Sequence, residues 1–208
     1  TPHIHPGRWG NTRQSIGRDR DALQNALNDE GIALRLGFAA EVRLTDEVMG
    51  QVERDEIPYY GEVEGYRIML LEFPHGHIIP GSEQLVGWLL ARNIRPMIAH
   101  PERNRQVMRD PALIQPFIEA GCWLQVTGGS VLGQFGDRAQ EVALELLEAD
   151  QVTVVASDGH NRKARPPALR NAFIRIARDY GQARAAHLMH DMPVAIAGSQ
   201  FADLGHLL

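Results

Sequence analysis

The strongest constraint on the fold is an alternation of β-type and helical segments along the chain. Apolar segments rich in β-branched residues occur at 32–40, 66–73, 95–99, 122–127 and 152–156. Segments with helical periodicity flank them at 15–30, 82–93, 110–121, 137–150 and 167–180. Such alternation is typical of α/β folds, in which helices cover a mostly parallel sheet. The sequence therefore predicts a mostly parallel sheet, left open or closed into a barrel.

One long segment departs from this alternation. Residues 43–65 (RLTDEVMGQVERDEIPYYGEVEG) are polar and acidic, which predicts a short helix, a loop and an edge hairpin. No repeat or low-complexity linker divides the chain, and its 208 residues are enough to fill one sizeable core. We therefore expect a single domain over residues 1–208.

The charge balance and the apolar runs argue against several classes of protein. A formal charge of -5 gives no basic footprint for nucleic acid or for an anionic membrane. No apolar run reaches the roughly 18 residues that a membrane-spanning helix needs. Cys122 is the only cysteine, so an intrachain disulfide cannot form. We predict a cytoplasmic protein with no nucleic-acid partner and no membrane insertion, and the oligomeric state stays open.

Chemically competent side chains follow most of the predicted strands. The first strand leads into Glu41, the second carries Glu72, the third ends at His100, and the last delivers Asp158 and His160. The carboxyl ends of parallel strands lie on one rim, where α/β folds place their active sites. The pattern therefore predicts that these five side chains converge.

The opening stretch TPHIH adds His3 and His5 to this group if it is the end of a strand. Carboxylates and imidazoles without a thiolate suit Zn²⁺, Mn²⁺ or Fe. Two or more such ions would polarise a phosphoryl oxygen and make hydroxide available near neutral pH. Taken one at a time, each residue also fits a surface carboxylate, a buried hydrogen-bonded histidine or a polar turn.

Two arginines follow the predicted ligands closely. Arg103 lies just after His100, and Arg165 lies in the loop after His160. A guanidinium matches phosphate oxygens two at a time, so these positions indicate an anionic substrate. The HxH spacing of His75 and His77 fits a loop, a substrate-facing or a metal-binding role, whereas Ser157 lacks the G-x-S-x-G elbow of a serine nucleophile.

Six short motifs, taken in order, resemble those of the PHP (polymerase and histidinol phosphatase) superfamily. They are TPHIHPGRW, GFAAEV, LLEFP, MIAHPERN, VVASDGHN and ARPPAL. The set is most similar to the bacterial protein-tyrosine phosphatases of capsular and exopolysaccharide operons, and it extends from Thr1 to about Pro193. The ordered set is specific, although each single motif is weak.

The resemblance implies a distorted (β/α)₇ TIM-like barrel that holds about two or three metal ions. Manganese is expected first, with iron, zinc or magnesium as alternatives. Glu41 would bridge two ions. The ligands that the resemblance implies are His3, Glu41, Glu72, His100, Asp158 and His160.

The same resemblance assigns phosphate binding to Arg103 and Arg165. It implies a metal-dependent phosphatase that acts on the phosphotyrosine tail of a bacterial tyrosine autokinase controlling polysaccharide synthesis. Two alternatives remain: another PHP phosphoesterase, such as a histidinol-phosphate phosphatase, and a non-catalytic fragment that binds the kinase tail. In the superfamily a D-x-H-x-H strand comes first, and this motif does not occur within residues 1–208. We therefore expect this chain to lack its N-terminal segment and the first strand.

Overall fold

The structure, a computed structural model, describes residues 1–204. It contains seven strands, which belong to one sheet. They are β1 (His3–Ile4), β2 (Glu41–Arg43), β3 (Glu62–Val63), β4 (Tyr66–Glu72), β5 (Ile94–Ala99), β6 (Trp123–Thr127) and β7 (Val154–Ala156). The strand order is β1-β2-β4-β5-β6-β7 with every neighbouring pair parallel, and β3 pairs antiparallel with β4. The predicted α/β class with a mostly parallel sheet is confirmed.

Helices connect the strands and cover the sheet. They are α1 (Arg13–Asp29), α2 (Val48–Glu53), α3 (Ser82–Leu90), α4 (Arg105–Arg109), α5 (Gln115–Glu119), α6 (Gly128–Val131), α7 (Asp137–Glu148), α8 (Arg170–Tyr180), α9 (Gln182–Ala186) and α10 (Met192–Ala197). Short 3-10 segments occupy Pro101–Arg103, Pro111–Ile114 and Gly198–Leu204, and a π-helical turn occupies His187–Asp191. Within residues 1–204, none of the helices is long and apolar enough to cross a membrane.

The predicted strand at 32–40 is wrong, because these residues form no regular element and the strand begins at Glu41. Ile32 and Leu34 are about half exposed, so the first part of this apolar stretch stays outside the core, which the chain enters only at Ala39 and Ala40. The Gln24 side chain on α1 donates to the Leu34 carbonyl and accepts from the Leu36 amide. These bonds satisfy the backbone groups that a sheet ladder would otherwise pair.

The helix predicted at 110–121 is divided into a 3-10 turn, Pro111–Ile114, and the short helix α5. Pro116 in the first turn of α5 has no amide proton, so it cannot extend a helix that begins further upstream. The short helix and the edge hairpin predicted within 43–65 are confirmed as α2 and the β3–β4 pair. Glu64 and Gly65 both have positive φ, as a two-residue hairpin turn requires.

The core is densest around the parallel strands, which carry nearly continuous apolar runs. Ile98 on β5 is fully buried in the main apolar cluster, between the strands β4 and β6. We expect Ile98→Val to lower the free energy of unfolding by about 1 kcal/mol, because it removes one methylene and leaves a small void. Urea denaturation followed by circular dichroism measures this change; an unchanged midpoint would contradict the packing described.

Candidate active site

The sheet geometry brings the predicted residues to one edge. β1 pairs with β2 in a register that sets His3 beside Glu41, and β2 pairs with β4 so that Arg43 lies beside Glu72. His100 directly follows β5. Because neighbouring strands are parallel, the strands deliver these side chains to the same rim.

Two residues at this rim have left-handed backbones. His100 has a φ of 34° and Asp158 a φ of 48°, although neither is glycine. Such conformations are uncommon and cluster at functional sites, where the surrounding structure holds them. The His100 amide donates to the Gln125 carbonyl at 2.7 Å, which fixes the point where the chain leaves the sheet.

All eight predicted site residues line one cavity of about 490 Å³. They are His3, Glu41, Glu72, His100, Arg103, Asp158, His160 and Arg165. Of the two histidines left open, His75 lines the cavity, while His77 is not among its lining residues. The sequence reasoning missed Arg8, Trp9 and Arg43, which also line it. The sequence favours a surface position for His206, and this residue lies outside the described residues.

Glu41 is the centre of the buried charge. Its carboxylate is about 5% exposed, with Oε1 lying 3.1 Å from His100 Nε2 and 3.7 Å from His3 Nδ1. Burial opposes the charged form of Glu41, but the hydrogen bond and charge of His100 outweigh it and hold the carboxyl pKa below its ordinary value. Burial likewise favours neutral His100, yet the bond to Glu41 raises the imidazole pKa. Each side chain therefore favours the charged form of the other.

Glu72 divides its two oxygens between different partners. Oε2 forms an ion pair with Arg43 Nη1 at 2.8 Å, and Oε1 lies 3.8 Å from both His100 Nε2 and His75 Nε2. The arginine fixes the carboxylate while the other oxygen faces the histidines. One ligand atom each from His3, Glu41 and Glu72 lies within 4.8 Å of the others. A compact set of carboxylate and imidazole donors without thiolate fits a divalent cation of the zinc or manganese type.

Asp158 lies where the acidic and basic parts of the cavity meet. Its Oδ2 accepts close hydrogen bonds from Arg103 Nη1 and Arg165 Nη2. His160 Nδ1 donates to the Asp158 carbonyl at 2.9 Å, which leaves Nε2 as the nitrogen available to a ligand. The His160 ring centroid is 5.8 Å from that of His3, so these two imidazoles are neighbours.

Both arginines also pack on one aromatic ring. The guanidinium carbons of Arg103 and Arg165 lie 4.3 Å and 5.6 Å from the centroid of Phe135. Cation–π contacts of this kind hold a guanidinium plane in place. Phe135 is distant from both arginines along the chain, and no spacing in the sequence indicates this contact.

The turn that carries Arg103 is anchored beneath the site. Fully buried Glu102 accepts from the Thr127 amide at 3.0 Å and from Ser130 Oγ at 2.7 Å, and burial raises its pKa. Asn104 donates to the Pro74 carbonyl at 2.7 Å. The turn after β5 is thereby tied both to the end of β6 and to the loop after β4.

Fold and cavity together define an α/β protein with a metal-ligating and anion-binding site at the carboxyl edge of its sheet. The family model described as "Capsular polysaccharide synthesis, CpsB/CapC" matches residues 1–197. The chain therefore belongs to the CpsB/CapC family of capsular polysaccharide synthesis. The family resemblance read from the six motifs is confirmed.

Similar proteins carry consistent names. The chain is 32% identical over 181 residues to the tyrosine-protein phosphatase YwqE of Bacillus subtilis, covering 87% of this chain and 70% of that protein. It is 30% identical over 173 residues to the putative tyrosine-protein phosphatase CapC of Staphylococcus aureus. That match covers 83% of this chain and 67% of the other protein. The chain also superposes on a solved structure with a TM-score of 0.84. The description of that structure names YwqE from Bacillus subtilis and CpsB from Streptococcus pneumoniae as "unique metal-dependent tyrosine phosphatases". That match has 30% identity and covers 94% of this chain and 78% of the other.

Proposed function

We propose that this protein is a metal-dependent tyrosine-protein phosphatase. The observation that carries the proposal is the convergence of carboxylates, imidazoles and two arginines in one cavity at the carboxyl edge of the sheet. Family membership and the names of the similar proteins support the same activity. The substrate proposed is the phosphotyrosine tail of a bacterial tyrosine autokinase, in keeping with the capsular description of the family.

The ligands proposed for the metal ions are the six residues that the sequence motifs indicated. Buried Glu41 and Glu72 supply negative charge, and the neighbouring histidines supply neutral nitrogen donors. About two or three ions, with manganese first and iron, zinc or magnesium as alternatives, would withdraw charge from phosphoryl oxygens and make hydroxide available near neutral pH. The full proposed set is His3, Glu41, Glu72, His100, Asp158 and His160.

Arg103 and Arg165 are proposed to bind the phosphoryl oxygens of the substrate. Their guanidiniums donate to Asp158 and also pack on the ring of Phe135. A phosphoryl group would compete with the Asp158 carboxylate for the same N–H donors. Positioned donors of this kind stabilise the charge that develops on phosphoryl oxygens during transfer.

The sheet is proposed to be the wall of a distorted (β/α)₇ barrel. The end strands approach each other across the site, since the His3 and His160 rings are neighbours. A second cavity of about 450 Å³ lies between strands β1, β2, β4, β6 and β7. It is lined in part by Thr1, Leu70, Gln125 and Ala156. Strands that surround a common interior are what a barrel requires.

The activity is tested by comparing three substrates on the purified protein: a phosphotyrosyl peptide, histidinol phosphate and single-stranded DNA. We expect turnover of the peptide to dominate, to disappear after treatment with a chelator, and to return with Mn²⁺. Metal content is measured on the same samples. Full activity in metal-free protein would overturn the proposal, and a preference for histidinol phosphate would favour the other phosphoesterase reading.

Cys122 gives a separate test of the chemistry, because thiol-based phosphatases use a reactive cysteine. Cys122 is buried, and burial raises the pKa of its thiol to about 12, so the nucleophilic thiolate is scarce near neutral pH. We expect Cys122→Ala to retain phosphotyrosyl hydrolysis within about twofold. Kinetics of the variant measure this, and a loss of activity at unchanged melting temperature would point to thiol catalysis.

Phe135 is expected to act through the two arginines. Phe135→Leu removes a cation–π platform worth about 1 kcal/mol, so kcat/KM on a phosphotyrosyl peptide should fall about fivefold. Inhibition by inorganic phosphate should weaken in parallel, because the same guanidiniums would bind it. Phe135→Tyr keeps the ring and should restore both values. Equal losses in the two variants would contradict the role of the ring face.

A further inference from the structure

The site cavity has one large apolar surface, the indole of Trp9. Among the residues that line the cavity, Pro2 is the only other apolar one, and the rest are charged or polar. Trp9 is 48% exposed, which is unusual for the largest apolar side chain. An exposed indole beside a polar, charged cavity is available to a ligand.

The backbone holds Trp9 in place through a closed turn. The amides of Arg8 and Trp9 both donate to the His5 carbonyl, at 3.1 Å and 3.0 Å. Gly7 has a φ of +75° within this turn, a conformation that favours glycine. The Asn11 side chain then donates to the His3 carbonyl at 2.9 Å, which ties the end of the turn back to β1.

The indole lies next to the proposed metal ligands. Its ring is nearly parallel to that of His3, with an interplanar angle of 17° and centroids 6.4 Å apart. His3 Nδ1 is in turn 3.7 Å from Glu41 Oε1. The Arg8 guanidinium carbon lies 5.5 Å from the Trp9 ring centroid. One imidazole therefore separates the indole from the centre of the buried charge.

We propose that Trp9 forms an aryl subsite that packs against the phenyl ring of a phosphotyrosyl substrate; this rests on the proposed phosphatase function. In phosphotyrosine the ring is bonded directly to the ester oxygen, so a phosphoryl group bound in the cavity must carry its ring to the adjoining wall. Trp9 is the large apolar surface that adjoins the proposed ligands. Aromatic rings gain stability from offset stacking and from removing apolar area from water.

The subsite gives the protein a physical basis for preferring aryl over alkyl phosphates. A phosphoserine or glycerol phosphate has no ring to cover the indole, so it loses the stacking contribution. Arg8 at the indole adds a positive charge at the same mouth, which suits a substrate with acidic groups near its phosphotyrosine. Trp9 would then set substrate choice while other residues perform the chemistry.

The test compares hydrolysis of a phosphotyrosyl peptide with that of the matching phosphoseryl peptide, in wild type, Trp9→Ala and Trp9→Phe. We expect the ratio of the two kcat/KM values to fall about tenfold in Trp9→Ala, which corresponds to the loss of one aromatic contact. Trp9→Phe should keep most of the ratio. Trp88→Phe is the matched control, because Trp88 on α3 also packs under an arginine, Arg92, but does not line the cavity.

A binding readout accompanies the kinetics. Phenylphosphonate and methylphosphonate serve as non-hydrolysable probes, and inhibition by the phenyl probe alone should weaken in Trp9→Ala. Equal losses on both peptides and both probes would mean that Trp9 only supports His3, and would overturn the aryl subsite. An unchanged ratio in Trp9→Ala would overturn it as well. If wild type hydrolyses neither peptide although its metal sites are filled, the phosphatase proposal itself fails, which is a distinguishable result.

Discussion

Replacing Glu41 with glutamine is expected to lower phosphotyrosyl hydrolysis by at least about a hundredfold and to reduce the metal content of the protein. The substitution keeps the volume of the side chain but removes the negative charge that His3 and His100 face. Loss of groups that merely orient metal ligands costs about 10- to 100-fold, so loss of a direct ligand, the role proposed for Glu41, should lie at or above the upper end. The carboxylate is about 5% exposed, and water cannot readily substitute for it.

The measurement pairs kcat/KM with metal analysis of protein purified in excess Mn²⁺. Glu53→Gln on α2 is the matched control, because it makes the same chemical change at an exposed carboxylate and should alter neither value. Melting temperatures of both variants separate a local loss of metal from a loss of fold. Glu41→Gln protein with full metal content and full activity would contradict the ligand assignment.

Much of the sheet follows from the sequence because its strands are buried on both faces. The segments that form β4, β5 and β6 are nearly continuous in apolar residues, and their predicted bounds agree with the observed strand bounds to within one or two residues. The segment 32–40 has a similar composition but forms no strand, and Gln24 on α1 satisfies two of its backbone groups, the Leu34 carbonyl and the Leu36 amide, from the side. A side chain that replaces a sheet partner leaves no periodic signal, so pattern reasoning could not detect it.

The part of the site that could be predicted is the part that lies at the ends of parallel strands. Glu72 and His100 lie at successive strand ends, and that rule alone placed them in one cavity. The sequence did not indicate that Arg43 lines the cavity, although Arg43 lies on β2 with Glu41. An arginine two residues after a carboxylate has the pattern of an ordinary surface charge. Phe135 and Trp9 contact site residues across loops, and the folded chain brings these rings to the site.

The pairing of Arg103 and Arg165 with one carboxylate oxygen has a consequence for substrate binding. Both guanidiniums donate to Asp158 Oδ2, so they are held close together and face the same point. Their side chains are 17% and 29% exposed, which leaves them accessible from the cavity yet partly shielded from water. Partial shielding strengthens a charge-assisted hydrogen bond relative to one on the open surface.

Replacing Arg103 with alanine is accordingly expected to lower kcat/KM on a phosphotyrosyl peptide by about 10²- to 10³-fold, the loss associated with one positioned donor to a developing anion. Arg103→Lys should recover little, because an ammonium cannot reproduce the paired donors of a guanidinium or its packing on Phe135. Metal content should stay close to that of wild type, since no ligand is removed. This combination distinguishes a phosphate-binding residue from a metal ligand, the role proposed for Glu41.

Arg109→Ala supplies the matched control, because Arg109 is exposed at the end of α4 and lies outside the cavity. Inhibition by inorganic phosphate should weaken in Arg103→Ala and Arg165→Ala but not in Arg109→Ala. Should metal be lost together with activity in Arg103→Ala, the arginine would be acting by holding Asp158 in place, and its assignment to phosphate would be wrong. We expect Arg103→Ala to retain its metal and to show weaker inhibition by phosphate. Both guanidiniums contact Asp158 Oδ2, and a phosphoryl oxygen would replace that carboxylate oxygen as their acceptor.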